Sequence, residues 1–170
     1  MARSAVVVVV AAAEPAVGEL RLAHDPMAAR GVPAHVTILY PFRSTVDAAT
    51  ADEVAAIAVT TEPFTATFST VCRFPGEVVY LAPDDAAAFA SISRRFIAAF
   101  PDCPPYGGAH PEPIPHLTVG SRAQPADADR IEAALVACLP ISTRVEQLTL
   151  LVEDDDGQWT IDRTWPLGQQ

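Results

Sequence analysis

Two short segments of this 170-residue chain carry one pattern, Ala34-His35-Val36-Thr37-Ile38 and Pro115-His116-Leu117-Thr118-Val119. Each sits at the same place in a series that reads strand, helix, short His-x-Thr strand, helix, long strand. The sequence is therefore an internal repeat, with approximate halves 1–74 and 75–170. A duplicated unit of mixed strands and helices, in a chain that is half hydrophobic and only 19% charged, suits a compact α/β or α+β domain. Approximate two-fold symmetry would set the two short strands opposite each other across a cleft. One domain, 1–170, is expected to hold both halves, and its length suffices to bury a hydrophobic interior.

Periodicity and turn chemistry place the elements. Val6 to Val10 are consecutive β-branched residues and fit a strand buried on both faces. Glu14 to Arg30 reads as a helix or irregular crossover closed at Gly31. Ala34 to Tyr40 is a strand stopped by Pro41, and Asp47 to Ala58 a helix with Val54, Ile57 and Ala58 on one face. Phe64–Arg73 and Glu77–Ala82 form a hairpin around Pro75-Gly76. A helix then opens at Pro83-Asp84-Asp85 and runs to about Phe100, with Phe89, Ile92, Phe96 and Ala99 on its apolar stripe. The Pro/Gly-dense stretch up to Pro115 is a loop. His116 to Gly120 is a short strand, Asp127 to Cys138 a helix with Ile131, Leu135 and Cys138 inward, and Ser142 to Glu153 one long strand. Asp154 to Gly157 turns that strand into a hairpin whose returning arm places Trp159, Ile161 and Trp165 on a single face.

Composition removes whole classes of chemistry. All eleven basic residues are arginine, which excludes a lysine Schiff base and a G-x-x-x-x-G-K-[ST] phosphate loop. A formal charge of −10 argues against wrapping a long nucleic acid, because that affinity comes from cations displacing counterions. Cys72, Cys103 and Cys138 are widely spaced and suggest neither a disulfide framework nor a thiolate metal site. Arg3 followed by the apolar run Ala5–Ala13 has the outline of an export signal, but the valines fit a strand better. No stretch approaches the roughly 20 apolar residues of a membrane span. A cytoplasmic monomer is the expectation, with no membrane and no cofactor.

The chemistry lies in the paired motif. Residues i and i+2 of a strand share a face, so each copy projects an imidazole and a hydroxyl together, while Val36 and Leu117 anchor the other face. Two imidazoles on opposite sides of a phosphodiester suit its cleavage: one takes a proton from the attacking oxygen and the other gives one to the leaving oxygen. Thr37 and Thr118 are expected to donate to the non-bridging phosphate oxygens. Arg43 and Arg122, each just beyond its motif, are candidate cationic helpers, and Tyr106, in the Tyr106-Gly107-Gly108 loop, could cover the cleft and stack on a base. No metal is required.

Paired apolar-His-x-Thr-apolar motifs about eighty residues apart, with Tyr40-Pro41-Phe42 after the first, resemble the 2H phosphoesterase superfamily, especially its 2′-5′ RNA ligase-like, cyclic phosphodiesterase branch. The resemblance covers nearly the whole chain. It implies a bilobal, pseudo-two-fold α+β fold with antiparallel sheets flanked by helices around a central cleft, and metal-independent hydrolysis of 2′,3′-cyclic or 2′,5′-linked phosphodiesters. It carries over onto His35, Thr37, His116 and Thr118 only. The missing basic character departs from the RNA-processing members, so a small nucleotide or RNA-end phosphodiester is the expected partner.

A lone histidine on a strand is usually structural, but two His-Thr pairs at repeat-equivalent sites need a common reason. His24 and His110 read as surface residues, and Asp154-Asp155-Asp156 as a solvated turn, since the full calcium-loop pattern is absent. Two other readings stay open: a nucleotide- or phosphate-binding module of the same fold without turnover, and a metal hydrolase built on His35, His116 and a carboxylate. The spacing disfavours the second, because no His-x-His or nearby acid accompanies either motif.

Overall fold

The computed structural model describes residues 3–75, 78–121 and 124–168. Arg122 and the Gly76 half of the expected turn lie outside the described residues. The strands are β1 (Ser4–Val9), β2 (His35–Leu39), β3 (Phe64–Phe74), β4 (Val78–Pro83), β5 (Leu117–Gly120), β6 (Ile141–Val145), β7 (Gln147–Glu153) and β8 (Trp159–Pro166). The helices are α1 (Glu14–His24), α2 (Ala48–Val59), α3 (Ala87–Ala99) and α4 (Pro125–Val136). The strands build two four-stranded antiparallel sheets, ordered β2-β1-β7-β8 and β5-β4-β3-β6. The fold is α+β.

Each half of the repeat keeps its first strand and its His-x-Thr strand in one sheet and sends its last long strand into the other. Thus β3 pairs with β4, and β7 with β1. The repeat boundary near residue 74 therefore does not coincide with a boundary between sheets. β2 and β5 are edge strands of their sheets and lie against one another, with α1 beside β5 and α3 beside β2.

The valine run is central in its sheet. Val6, Val8 and Val10 enter the main core, while Val7 joins Ala5, Val32, Leu151 and Trp159 in a smaller cluster. The period-2 alternation of a strand sorts one apolar run between two cores. Asp47 caps α2 by accepting from the Thr50 N–H at 2.8 Å, and Val54, Ile57 and Ala58 are buried as expected.

Three expectations are corrected. Ser142–Glu153 is not one strand: the chain leaves the second sheet at Val145 and enters the first at Gln147, breaking at Glu146. Buried Val145 and Leu148 on either side of the break serve the main core from both sheets, so hydrophobicity alone could not show the break. Cys138 is exposed, because α4 ends at Val136. Pro140 cannot continue a helix and disfavours helical backbone at Leu139, which stops α4 short. Finally, Trp159 and Trp165 do not share a face. The register of β7 with β8 slips, Leu150 facing Arg163 and Leu151 facing Ile161, so Asp162 is a bulge and the alternation flips across it. Trp165 enters the main core, Trp159 the smaller cluster, and Ile161 is exposed.

Gly31 closes the crossover at φ +90°, and a Cβ there would stand 2.7 Å from the Trp159 carbonyl oxygen. Gly31→Ala is expected to cost about 1–3 kcal/mol from backbone strain, with the clash added. An unchanged urea midpoint would show that the Trp159 backbone moves aside freely.

Candidate active site

Both His-x-Thr strands carry the same local irregularity. Along β2 the partners of successive Val6 and Val7 are Leu39 and Thr37, and along β5 those of Val79 and Tyr80 are Gly120 and Thr118. Ile38 and Val119, each the residue after the motif threonine, are thus the bulged residues. Below the bulge His35 and Thr37 stay on one face of β2, opposite Val9 and Val7. The apolar residue between each pair, Val36 or Leu117, is fully buried. His35, Thr37, His116 and Thr118 line one cavity of about 270 Å3 between the edge strands. The structure brings all four sequence-predicted residues together.

The two imidazoles are held in the same way. His35 Nδ1 lies 2.7 Å from the Pro33 carbonyl oxygen, and His116 Nδ1 lies 2.7 Å from the Ile114 carbonyl oxygen, each two residues upstream. A carbonyl can only accept, so Nδ1 carries the hydrogen and Nε2 is the free nitrogen with its lone pair. His116 is further wedged by edge-to-face contacts with Phe74 at 5.0 Å and Tyr80 at 5.4 Å.

Burial pushes the His35 pKa down to about 4, opposed by the Pro33 carbonyl and helped by the nearby Arg21 cation. Burial also lowers the His116 pKa, opposed by the Ile114 carbonyl. Stability should therefore depend on pH. Above pH 6.5 the His35 ring is neutral in both the folded and the unfolded chain. Between 6.5 and about 4 only the unfolded chain takes up the proton, so stability falls as pH falls. The ring keeps some solvent exposure, so the loss is at most about 3 kcal/mol. Urea denaturation at pH 7 and 4.5 should show a smaller loss in His35→Gln than in the wild type; equal losses would remove His35 as the source.

The rest of the wall was not legible as a site. Arg3, Asp25, Tyr40 and Trp159 also line the cavity. Arg3 forms a two-pronged ion pair with Glu153, and its guanidinium carbon lies 5.8 Å from the Trp159 ring centre. Trp159 Nε1 is a buried donor with no partner among the described residues. Tyr40 directly follows the first motif strand, which was a usable signal; Trp159 was hidden by the β8 bulge, and Arg3 by its resemblance to the start of an export signal.

Tyr106 does reach the cavity. It is the one non-glycine with positive φ among the described residues (φ 50°), its N–H donates to the Tyr40 carbonyl at 2.6 Å, and its ring meets Tyr40 edge-on at 6.1 Å. Burial raises its hydroxyl pKa, opposed by the neighbouring Thr37 hydroxyl. Arg43 is placed elsewhere. Its guanidinium is satisfied by both Asp102 carboxylate oxygens, at 2.9 and 3.1 Å, and by the Thr50 hydroxyl at 2.8 Å, and it does not line the cavity. Position in the repeat could not show that a carboxylate 59 residues away would claim it. Among the described residues no group of three or more His, Cys, Asp or Glu side chains converges as a metal site.

No curated protein sequence matches the chain significantly. Among solved structures it is similar to Escherichia coli LigT complexed with 3′-AMP, at TM-score 0.65 and 18% identity over 98% of each chain. LigT complexed with NADP+ gives TM-score 0.62 at 18% identity, again over 98% of each chain. TT0787 of Thermus thermophilus gives 0.61 at 18% identity over 99% of each chain. At such identities the likeness establishes the fold. The model of the 2′-5′ RNA ligase superfamily matches residues 9–157, a span that contains both histidine motifs. The chain belongs to the 2′-5′ RNA ligase superfamily of 2H phosphoesterases.

Proposed function

We propose that the protein hydrolyses a small 2′,3′-cyclic or 2′,5′-linked nucleotide phosphodiester by general acid–base catalysis between His35 and His116. The observation that carries this reading is the matched pair of imidazoles on one cavity, each with Nδ1 tied to the carbonyl two residues before it and Nε2 left free. A neutral ring takes the proton of an attacking water, while the protonated ring supplies one to the leaving oxygen. Binding an anionic phosphate between the rings favours the protonation that burial opposes, so the pair is set up by its substrate. Thr37 and Thr118 donate to the non-bridging oxygens as charge develops on them.

A small substrate agrees with the size of the cavity, with the −10 charge, and with the nucleotides 3′-AMP, NADP+ and ATP named in the LigT complexes. The reading places the enzyme in the cytoplasm, where its free cysteines stay reduced. Among the described residues no helix is long and apolar enough to cross a membrane.

The test is incubation with the four 2′,3′-cyclic mononucleotides and a 2′,5′-linked dinucleotide in excess chelator. Nucleoside monophosphate product is expected in chelator. Activity lost in chelator and restored by zinc would replace the two-histidine mechanism with a metal-dependent one. Ligand bound without any product would make the protein a phosphate-binding module.

A further inference from the structure

The cleft continues past the catalytic cavity into a second chamber of about 550 Å3. Tyr106 lines both spaces, as do His116 and Thr118, whereas His35 and Thr37 line only the first. Phe74, Val78, Pro113 and Ile114 make the second wall apolar, and Ile114 is 61% exposed, one of few large hydrophobic side chains so placed. Among the described lining residues Glu112 is the only carboxylate and there is no arginine, the other titratable side chains being Tyr106, His110 and His116. The first chamber is different in kind, with Arg3 and Asp25 on its wall.

We propose that the second chamber receives the leaving arm of a linear phosphodiester, and that it selects an uncharged arm with an aromatic or apolar face. This rests on the phosphoesterase reading above and names the class of substrate. A cyclic mononucleotide has a single arm and leaves one chamber empty; a linear diester fills both. Ordinary ligand sites of comparable volume are mostly apolar with a few fixed polar groups, and this chamber matches that description.

The placement also divides the work of the histidines. An oxygen of the arm in the second chamber lies on the His116 side of the phosphorus. Water attacks phosphorus with His35 Nε2 taking its proton, the bond from phosphorus to the arm's oxygen breaks, and His116 Nε2–H protonates that oxygen. The products are an alcohol and a phosphomonoester, and the proton on His35 returns to His116 through solvent. Ile114 serves twice: its carbonyl fixes the His116 tautomer, and its side chain meets the arm. A phosphate on the arm would meet Glu112 and an apolar wall with no arginine among the described lining residues, while the His116 imidazolium is engaged with the scissile phosphodiester.

The experiment compares kcat/KM for 2′,5′-linked diadenosine monophosphate, the same dinucleotide phosphorylated on both nucleosides, and 2′,3′-cyclic AMP. Phosphorylating both nucleosides ensures that either orientation brings a phosphate to this chamber. The bare dinucleotide is expected to exceed the phosphorylated one by about tenfold or more, with the difference mainly in KM. Glu112→Arg should narrow that gap, and Ile114→Ser should raise KM for the bare dinucleotide more than for the cyclic nucleotide. Equal kcat/KM for the two dinucleotides, or a gap that neither variant changes, overturns the proposal while cyclic AMP turnover upholds the phosphoesterase reading. Turnover of cyclic AMP alone also overturns it. No product from any of the three overturns both.

Discussion

His35→Ala and His116→Ala are each expected to lower kcat by about 10²–10⁴-fold, the range that one positioned acid or base supplies. The double variant should lose little beyond the worse single one, because a base without its acid partner leaves the leaving oxygen unprotonated. Folding should survive both changes, since each ring lines a cavity and donates one hydrogen bond to a local carbonyl, rather than filling the main core. Far-ultraviolet circular dichroism and the urea midpoint check that. Thr37→Val and Thr118→Val remove the donor and keep the shape, so they should lower kcat through lost transition-state hydrogen bonding, by less than the histidines. Wild-type turnover in either histidine variant would show that the matched rings are structural. A loss in one and not the other would reduce the site to a single general acid or base.

What could be read from the sequence was whatever is written in short-range periodicity. The paired His-x-Thr motifs put four side chains on two strand faces, and the structure gathers all four at one cavity. The helical stripe of α3 was equally plain, because Phe89, Ile92 and Phe96 recur at helical spacing and are buried. Features that depend on register escaped. One extra residue at Asp162 moves Trp159 out of the tryptophan face and into the site, and no pattern of hydrophobicity marks a bulge. The exchange of β3 and β7 between sheets escaped for a related reason: strand content is local, whereas the choice of partner is made by the whole core. Arg43 shows the same limit for charges. A repeat position predicts where a side chain starts, but its Asp102 partner decides where the guanidinium ends.

Arg21→Met should destabilise the protein by about 3–5 kcal/mol, the cost of leaving a buried charge without its counterion. Arg21 and Asp25 are 2% and 5% exposed and lie 3.0 Å apart, one helical turn from each other at the end of α1. Arg21 also donates to the Val32 carbonyl at 3.0 Å, and Asp25 accepts the Met27 N–H at 3.1 Å. Methionine fills similar space but strands the Asp25 carboxylate with a single backbone donor. Arg21→Met/Asp25→Asn removes the orphaned charge and keeps an acceptor for Met27, so it should recover most of the loss. The pair also acts on the His35 ring: the Arg21 cation lowers its pKa, and Asp25 raises it by less. Arg21→Met removes the first influence and keeps the second, so His35 should titrate above its wild-type value of about 4, while the double variant removes both and moves it less. The readouts are the urea midpoint and the pH dependence of the His35 ring resonances. A stable Arg21→Met protein would mean that water reaches Asp25, and an unmoved His35 titration would confine the ion pair to a structural role.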